Sequence, residues 1–255
     1  MTERSDSLDT ARFIAQLDRC FGKNDMRAAR ACIDFWEAEA RRLGDDGGLL
    51  TVLNEAVGFY RRSQKKGRAT RAMEECLSLV ERLGLENSLT GATVFINAAT
   101  TVSFFGREEE GLRLYDRAAD CYVANRRTDS YEYAALLNNK AGTYYTLGRL
   151  DEAEAAWREA IAILKRCGGH DGEVAISLVM LAHAAFDRGD GDDPKIEALL
   201  DEAWEYINAE GQPRDGNYAY VLRKCAPSYD FFQRHEEAQA LRDVAREIQT
   251  LFSQE

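Results

Sequence analysis

The feature that most constrains the fold is a segment that recurs about every 42 residues along the chain. Its clearest copy spans residues 139–153, and an upstream copy starts at Asn97. In each copy a small residue follows the Asn by two positions and a Gly follows it by nine, as Gly148 follows Asn139. A period of this length is typical of stacked helical repeats. Such a chain usually works through an extended surface and not through a catalytic pocket.

The recurrence predicts helix pairs, each joined by a short turn. The predicted turn centres, spaced by 43, 39, 42, 41 and 44 residues, are Asn24, Gly67, Gly106, Gly148, Gly189 and Gln233. The first helices of the pairs are predicted at about 8–22, 48–65, 89–105, 130–147, 172–188 and 216–232. The second helices are predicted at about 25–43, 68–83, 108–125, 151–167, 194–209 and 235–253. Asp192 or Asp193 is expected to cap the helix that follows the turn at Gly189.

The predicted fold class is therefore all-α, with about twelve helices in one repeat domain over residues 8–255 after a flexible stretch at 1–7. Small residues recur near each turn, so paired helices can approach closely. Four larger side chains are expected to fill the space beside them: Tyr115, Tyr144, Trp157 and Tyr229.

The charge and cysteine content exclude several classes of protein. The net charge of −11 argues against a generic nucleic-acid binder, because phosphate contacts dominate that affinity. A basic run does occur, at Arg61, Arg62, Lys65, Lys66, Arg68 and Arg71, and it is predicted to be a solvated helix end and turn. The six cysteines are scattered without a CxxC pair, so we expect buried, reduced thiols, no metal and no cofactor. The polar start and the lack of long apolar runs predict a cytoplasmic protein without a membrane segment.

The residues around Gly148 resemble the tetratricopeptide repeat. The order of small residue, aromatic, Gly and Ala is carried by Ala141, Tyr144, Gly148, Ala153 and Ala160. The usual unit has about 34 residues, and the longer period here is similar to the repeats of kinesin light chain. The resemblance implies a right-handed superhelical α-solenoid of about six antiparallel helix pairs, whose first helices line a concave side.

Carried onto this chain, the resemblance implies a binding lining on the first helices. Its candidate residues are Arg61, Lys65, Thr93, Asn97, Thr100, Phe104, Asn138, Asn139, Tyr145, His183 and Arg223, with Gln64, Phe186, Tyr220 and Lys224 beside them. In related arrays an Asn at this place grips the backbone of an extended peptide. Alternatively, Asn97 and Asn139 tie neighbouring helices together, and both interpretations stay open. By the turn spacing, Asn54 lies four residues before the equivalent place in the preceding unit, which is Gly58.

The predicted function is a protein–protein interaction scaffold that binds a peptide or protein segment in its concave groove. One alternative is a peptide-sensing regulator. Another is a self-assembling module, a homodimer through its terminal repeats, since Ile248, Leu251 and Phe252 keep apolar spacing near the chain end. Catalysis is not expected, because the three histidines are far apart in sequence and no HExxH, GxSxG or phosphate-loop pattern occurs.

Overall fold

The structure, a computed structural model, describes residues 7–189 and 194–252. The first helices of the pairs are α1 (Thr10–Gly22), α3 (Asp46–Arg62), α5 (Leu89–Phe104), α7 (Tyr131–Thr146), α9 (Asp171–Asp187) and α11 (Gly216–Phe231). The second helices are α2 (Met26–Leu43), α4 (Lys66–Arg82), α6 (Glu108–Ala124), α8 (Leu150–Cys167), α10 (Pro194–Ile207) and α12 (His235–Phe252). The predicted all-α fold of sequential antiparallel helix pairs is confirmed. The expected cap at Asp192 or Asp193 and the stretch 1–6 lie outside the described residues.

The chain forms two compact units, Met1–Arg126 and Arg127–Glu255. Unit 1 contains α1 to α6 and unit 2 contains α7 to α12, so each unit has three antiparallel pairs in the described residues. Within a pair the two helices pack along their lengths, and α1 contacts α3, α3 contacts α5 and α9 contacts α11. Side-chain hydrogen bonds join α7 to α9. The single domain over residues 8–255 stays a prediction.

Short polar side chains fix where many helices begin. Asp9, Asp25, Asp45, Ser88, Ser130 and Asp215 each accept a hydrogen bond from a backbone N–H in the first turn of the helix that follows. Such capping satisfies donors that have no partner inside the helix. These caps place the first helices of successive repeats in a common register, which can be counted from the cap residue.

The turns inside the pairs pass through one residue with left-handed backbone. These residues are Asn24, Gln64, Gly106, Gly148, Gly189 and Gln233, with φ between 52° and 100°. The predicted turn centre at Gly67 is therefore wrong, because the left-handed residue is Gln64 and Gly67 belongs to α4. A glycine is preferred at such a position without being required, since polar residues also adopt it at a modest cost.

The core contains small and aromatic side chains in the expected places, together with many Leu, Ile and Val side chains. Ala99, Ala141, Ala153 and Ala182 are buried. Tyr115, Trp157 and Tyr229 are buried as well. Of the six free thiols only Cys76, Cys121 and Cys225 are buried, whereas Cys167 is exposed, so the expectation of six buried cysteines is wrong. Burial raises the pKa of Cys76 to about 12, which keeps this thiol protonated and unreactive.

None of the described helices combines the length and the apolar character that crossing a membrane requires.

Candidate binding surface

Asn97 in unit 1 forms a hydrogen bond between two first helices. Its Nδ2 donates to Oδ1 of Asn54 at 3.0 Å, which links α5 to α3. Each Asn is the ninth residue after its helix cap, Ser88 or Asp45, so the two residues are equivalent by the cap register. The position equivalent to Asn97 in the preceding repeat is therefore Asn54 and not Gly58. The predicted offset of four residues arose from the wrong turn centre at Gly67. The geometry favours the interpretation in which Asn97 ties neighbouring helices together.

Arg61 strengthens the same contact from α3. Its Nη1 donates to Oγ1 of Thr101 at 3.3 Å and approaches the backbone oxygen of Asn97 at 3.5 Å. Burial lowers the pKa of the Arg61 guanidinium, with a further contribution from the nearby charge of Arg62. Arg61 is therefore a half-buried link between helices and not a free arm for a ligand.

The other predicted lining residues of unit 1 differ in the exposure of their side chains. Thr100 donates to the Ile96 backbone oxygen at 2.8 Å and lies 3.0 Å from the hydroxyl of Tyr115, so it faces its partner helix. Thr93, Phe104 and Lys65 are exposed. Thr93 bonds only to its own helix, at the Leu89 oxygen.

The neighbouring Asn138 and Asn139 on α7 lie in different environments. Asn138 accepts a hydrogen bond from Oγ of Ser177 at 2.9 Å, which links α7 to α9. Asn139, the ninth residue after the cap Ser130, is exposed. Its side chain forms no hydrogen bond with any residue that the structure describes. Asn139 is therefore the Asn that keeps its amide available to a ligand.

Two further contacts join the first helices of unit 2. The hydroxyl of Tyr145 donates a hydrogen bond to Asp187, and Nε2 of His183 lies 3.0 Å from Oγ of Ser228. Burial, together with the hydrogen bond to Asp187, raises the pKa of Tyr145 to about 12. Burial also lowers the pKa of His183, although Asp187 opposes that shift, so the imidazole is neutral near pH 7. Both residues thus act as neutral hydrogen-bonding links.

An aromatic cluster joins the ends of α9 and α11, and its residues are His183, Phe186, Phe231 and Phe232. The rings of Phe186 and Phe231 meet edge to face at 5.0 Å, and those of Phe231 and Phe232 at 4.9 Å. The His183 ring lies 4.9 Å from Phe231 and 5.0 Å from Phe232. Phe186 and Phe231 are 40% and 47% exposed, so these two apolar rings are partly open to solvent while they pack against the other rings of the cluster.

The sequence-based lining includes His183 and Phe186 but misses Phe231 and Phe232. A signal was present: Phe186 and Phe231 are each sixteen residues after the N-cap of their helix, His170 or Asp215. Phe104 holds the same register on α5 and is exposed as well. If residues are counted from the N-caps and not from the turns, Phe104, Phe186 and Phe231 occupy the same position in their helices. Arg223 on α11, the last predicted lining residue, is exposed.

The three histidines lie in separate places in the described structure. His170 stacks on Tyr131 at 4.2 Å, and His235 lies 3.1 Å from Asp230, so the histidines other than His183 serve separate local contacts. Within the described ranges no three His, Cys, Asp or Glu residues are placed to hold a metal ion.

Comparisons with known proteins define the class. Residues 132–193, which include nearly all of α7 and the whole of α8 and α9, match the tetratricopeptide repeat family model. A comparison with the sequences of curated proteins gave no significant match. The fold of the chain is that of tetratricopeptide-repeat proteins, as its helix pairs and the matched segment show. The comparisons indicate no enzyme family.

The solved structures that are similar to this chain include three with less than 20% identity. BtubC (BKLC) from P. vanneervenii has 19% identity and a TM-score of 0.67, over 90% of this chain and 92% of that one. A putative kinesin light chain with nearly identical TPR-like repeats from Podosopora anserina has 17% identity and a TM-score of 0.57, over 78% and 94%. A Rap protein complexed with competence and sporulation factor has 14% identity and a TM-score of 0.59, over 95% and 75%. At these identities the likeness concerns the fold alone.

The contact between Asn54 and Asn97 leads to a stability prediction. Replacing Asn97 with Ala is expected to lower the free energy of unfolding by about 1 kcal/mol, because a half-buried amide loses its partner. In a double-mutant cycle with Asn54→Ala, the double mutant should lose less stability than the two single mutants together. The difference, which is the coupling energy of the pair, should be about 0.5–1 kcal/mol. Urea unfolding followed by circular dichroism measures both values.

Asn139→Ala is the matched control, since this Asn has the same register and an exposed side chain. Its unfolding free energy should stay within about 0.5 kcal/mol of the parent. Strictly additive losses at Asn54 and Asn97, or an equal loss at Asn139, would contradict the assigned contact.

Proposed function

We propose that this protein is an interaction scaffold that binds a peptide or protein segment on its first helices. The observation that carries the proposal is the exposed aromatic cluster of unit 2. Exposed aromatic side chains that rest on a fixed base are frequent anchors of protein interfaces, because they bury much apolar surface at little entropic cost. The tetratricopeptide-repeat fold supports the same conclusion by analogy.

Exposed polar side chains on the first helices also suit an extended ligand. Asn139 offers two donors and an acceptor to a peptide backbone without reading its side chains. Asn97, Asn138 and His183 stay in the proposal as residues that hold the first helices in place, because their polar side chains bond neighbouring helices. The exposed Thr93, Phe104, Lys65 and Arg223 remain candidate contact residues.

A selection from a phage-displayed random peptide library, followed by calorimetry on the selected peptides, tests the proposal. Phe186→Ala and Phe231→Ala should each weaken binding by about tenfold or more, which corresponds to about 1.4 kcal/mol. Because both rings are partly exposed, the loss of stability should be smaller than for a buried ring. Asn139→Ala should weaken binding without a change in stability.

Phe35→Ala is the control, because this ring on α2 is exposed and lies outside the first helices. Its affinity for the selected peptides should match that of the parent protein. If Phe186→Ala and Phe231→Ala bind as tightly as Phe35→Ala, the aromatic cluster is not the binding surface.

A peptide-sensing regulator is the second candidate, and the likeness to a Rap protein crystallised with a peptide factor favours it. Self-association through the terminal repeats is a third, since Leu251 on α12 is exposed. Small-angle scattering at rising protein concentration, with and without the selected peptides, separates them. A profile that the peptides do not change argues against a sensor, and a constant monomer mass argues against a homodimer.

A further inference from the structure

Five basic side chains are concentrated at the end of α3 and the start of α4. We call Arg62, Lys65, Lys66, Arg68 and Arg71 the basic edge. None of these side chains forms a salt bridge with a residue that the structure describes. By contrast, other arginines of unit 1 are paired: Arg41 with Glu37 and Glu75, Arg42 with Glu39, and Arg82 with Asp46.

The contacts that the basic edge does make are with aromatic rings and backbone oxygens. The Arg62 guanidinium lies 5.0 Å from the ring of Phe21, and the Lys66 ammonium 5.8 Å from that of Phe105. Arg68 donates to the hydroxyl of Tyr60 at 3.5 Å, and Arg71 to the backbone oxygen of Gly67 at 3.3 Å. These contacts hold the side chains in place without a salt bridge to a described residue. Arg68 and Arg71 also line a cavity with Asp34, Glu37 and Glu75, so part of their charge is offset there.

The arrangement also conflicts with the usual electrostatics of a helix. Among the described helices, α4 alone begins with neither a capping side chain nor an acidic residue in its first turn. Lys65 and Lys66 instead add positive charge at the positive end of the helix dipole, which is destabilising. A local rule that is broken without a structural gain points to function.

A cleft of about 440 Å³ adjoins the basic edge between α2, the end of α3 and the start of α4. It is lined by Met26, Arg30, Phe59, Tyr60, Ser63, Lys65 and Arg68. Met26 is 44% exposed and gives the cleft an apolar wall, while Lys65 and Arg68 form a charged rim. Arg30 forms a salt bridge with Asp34 at 3.5 Å, whereas Lys65 and Arg68 form none with a residue that the structure describes.

We propose that the basic edge and this cleft bind an acidic segment of a partner protein, with carboxylates on Lys65, Lys66 and Arg68 and one aliphatic side chain beside Met26. Charge complementarity selects the occupant, because the site is locally basic in a chain whose net charge is −11. The apolar wall favours a protein segment over a purely polar polyanion. The surface lies in unit 1, on α2, the end of α3 and the start of α4. It does not include the aromatic cluster of unit 2, which carries the proposed function, so its failure would leave that proposal intact.

The probe is a fluorescein-labelled peptide of Asp and Glu residues around one central Leu, measured by fluorescence anisotropy. The parent protein should bind it, with an affinity that falls as salt is raised, because exposed charges are screened. A version with Lys in place of every acidic residue should not bind. A version with Ser in place of the Leu should bind several-fold more weakly.

Lys65→Asp separates binding from folding. The variant should bind the acidic peptide about fivefold or more weakly, which corresponds to a loss of about 1 kcal/mol in binding free energy. It should also raise the urea midpoint of unfolding, because Asp at this position caps α4 and suits its dipole. A loss of binding that accompanies a gain in stability cannot come from unfolding.

Lys195→Asp, at an exposed lysine near the start of α10 in unit 2, makes the same change in net charge at another helix start. It should bind the acidic peptide about as well as the parent. Equal losses for Lys65→Asp and Lys195→Asp, no binding by the parent protein, or tighter binding of a single-stranded oligonucleotide than of the peptide would each overturn the proposal.

Discussion

Replacing Tyr229 with Ala is expected to lower the free energy of unfolding of unit 2 by about 3–5 kcal/mol, the cost of removing a large aromatic side chain from a core. Tyr229 is fully buried, with a relative exposure of 0%. Its ring meets Trp204 edge to face at 5.6 Å and supports the Arg234 guanidinium at 5.4 Å. The substitution would thus leave a cavity between α10, α11 and α12.

The hydroxyl of Tyr229 contributes a smaller share. It donates to the backbone oxygen of Leu200 at 2.8 Å in a buried position, which ties α11 to α10. Tyr229→Phe keeps the ring and removes this hydrogen bond, so its expected cost is about 1 kcal/mol. The difference between the two variants therefore measures the packing of the ring separately from its hydrogen bond.

Urea unfolding followed by far-ultraviolet circular dichroism checks both values. Tyr220→Ala is the matched control, because Tyr220 is on the same helix and 48% exposed. Its cost should stay within about 0.5 kcal/mol. Similar losses at Tyr220 and Tyr229 would show that burial does not decide the outcome, and the assigned core would then be wrong.

The sequence predicts the helices well because the features that delimit them are local. A polar cap such as Ser130 and a left-handed residue such as Gly148 act on the backbone within a few residues of themselves. The prediction failed where the local chemistry was ambiguous. Gly67 looks like a turn residue, yet Gln64, three residues earlier, adopts the left-handed conformation, and α4 begins at Lys66, one residue before the predicted turn centre.

The candidate surface was harder to predict because exposure depends on the neighbouring helix. Asn138 and Asn139 are adjacent and chemically identical, and only Ser177 on α9 determines which amide is engaged. Asn97 in turn meets Asn54, whose equivalence depended on the position of a turn. The register of each helix can be predicted from the sequence, but the side chain that each residue meets on the neighbouring helix cannot.

A common physical pattern nonetheless connects these contacts. The first helices in each unit are joined by polar side chains: Asn54 with Asn97, Asn138 with Ser177, and His183 with Ser228. Each pair satisfies half-buried groups that would otherwise be costly. Polar lining residues therefore serve two purposes, and those already engaged in the fold are poorer candidates for ligand contact than exposed ones such as Asn139 and Phe231.

Gly91 and Gly142, both inside first helices, should respond to alanine with opposite signs. A Cβ at Gly91 would lie 2.1 Å from the backbone oxygen of Leu85, far inside van der Waals contact. At Gly142 on α7 an added Cβ meets nothing within 4 Å. Gly142→Ala should therefore raise the free energy of unfolding by about 0.5–1 kcal/mol, since alanine loses less backbone entropy in a helix.

The segment before α5 cannot move aside to admit a methyl group at Gly91. The Cys121 thiol donates to the Glu86 backbone oxygen at 3.0 Å, and Nδ2 of Asn125 donates to that of Asn87 at 2.8 Å. Shifting the segment would also weaken the cap, in which Oγ of Ser88 accepts from the Gly91 N–H at 3.0 Å. Overpacking and the lost cap together give an expected destabilisation of roughly 2–4 kcal/mol for Gly91→Ala.

Chemical unfolding of the two variants beside the parent protein decides the comparison. Alanine is the better helix former at both sites, so helix propensity alone predicts that both variants are stabilised. Steric contact predicts a stabilised Gly142→Ala and a strongly destabilised Gly91→Ala. If Gly91→Ala unfolds at the same urea concentration as the parent, the approach of residues 85–88 to α5 is looser than the structure shows, and the glycine is there for another reason.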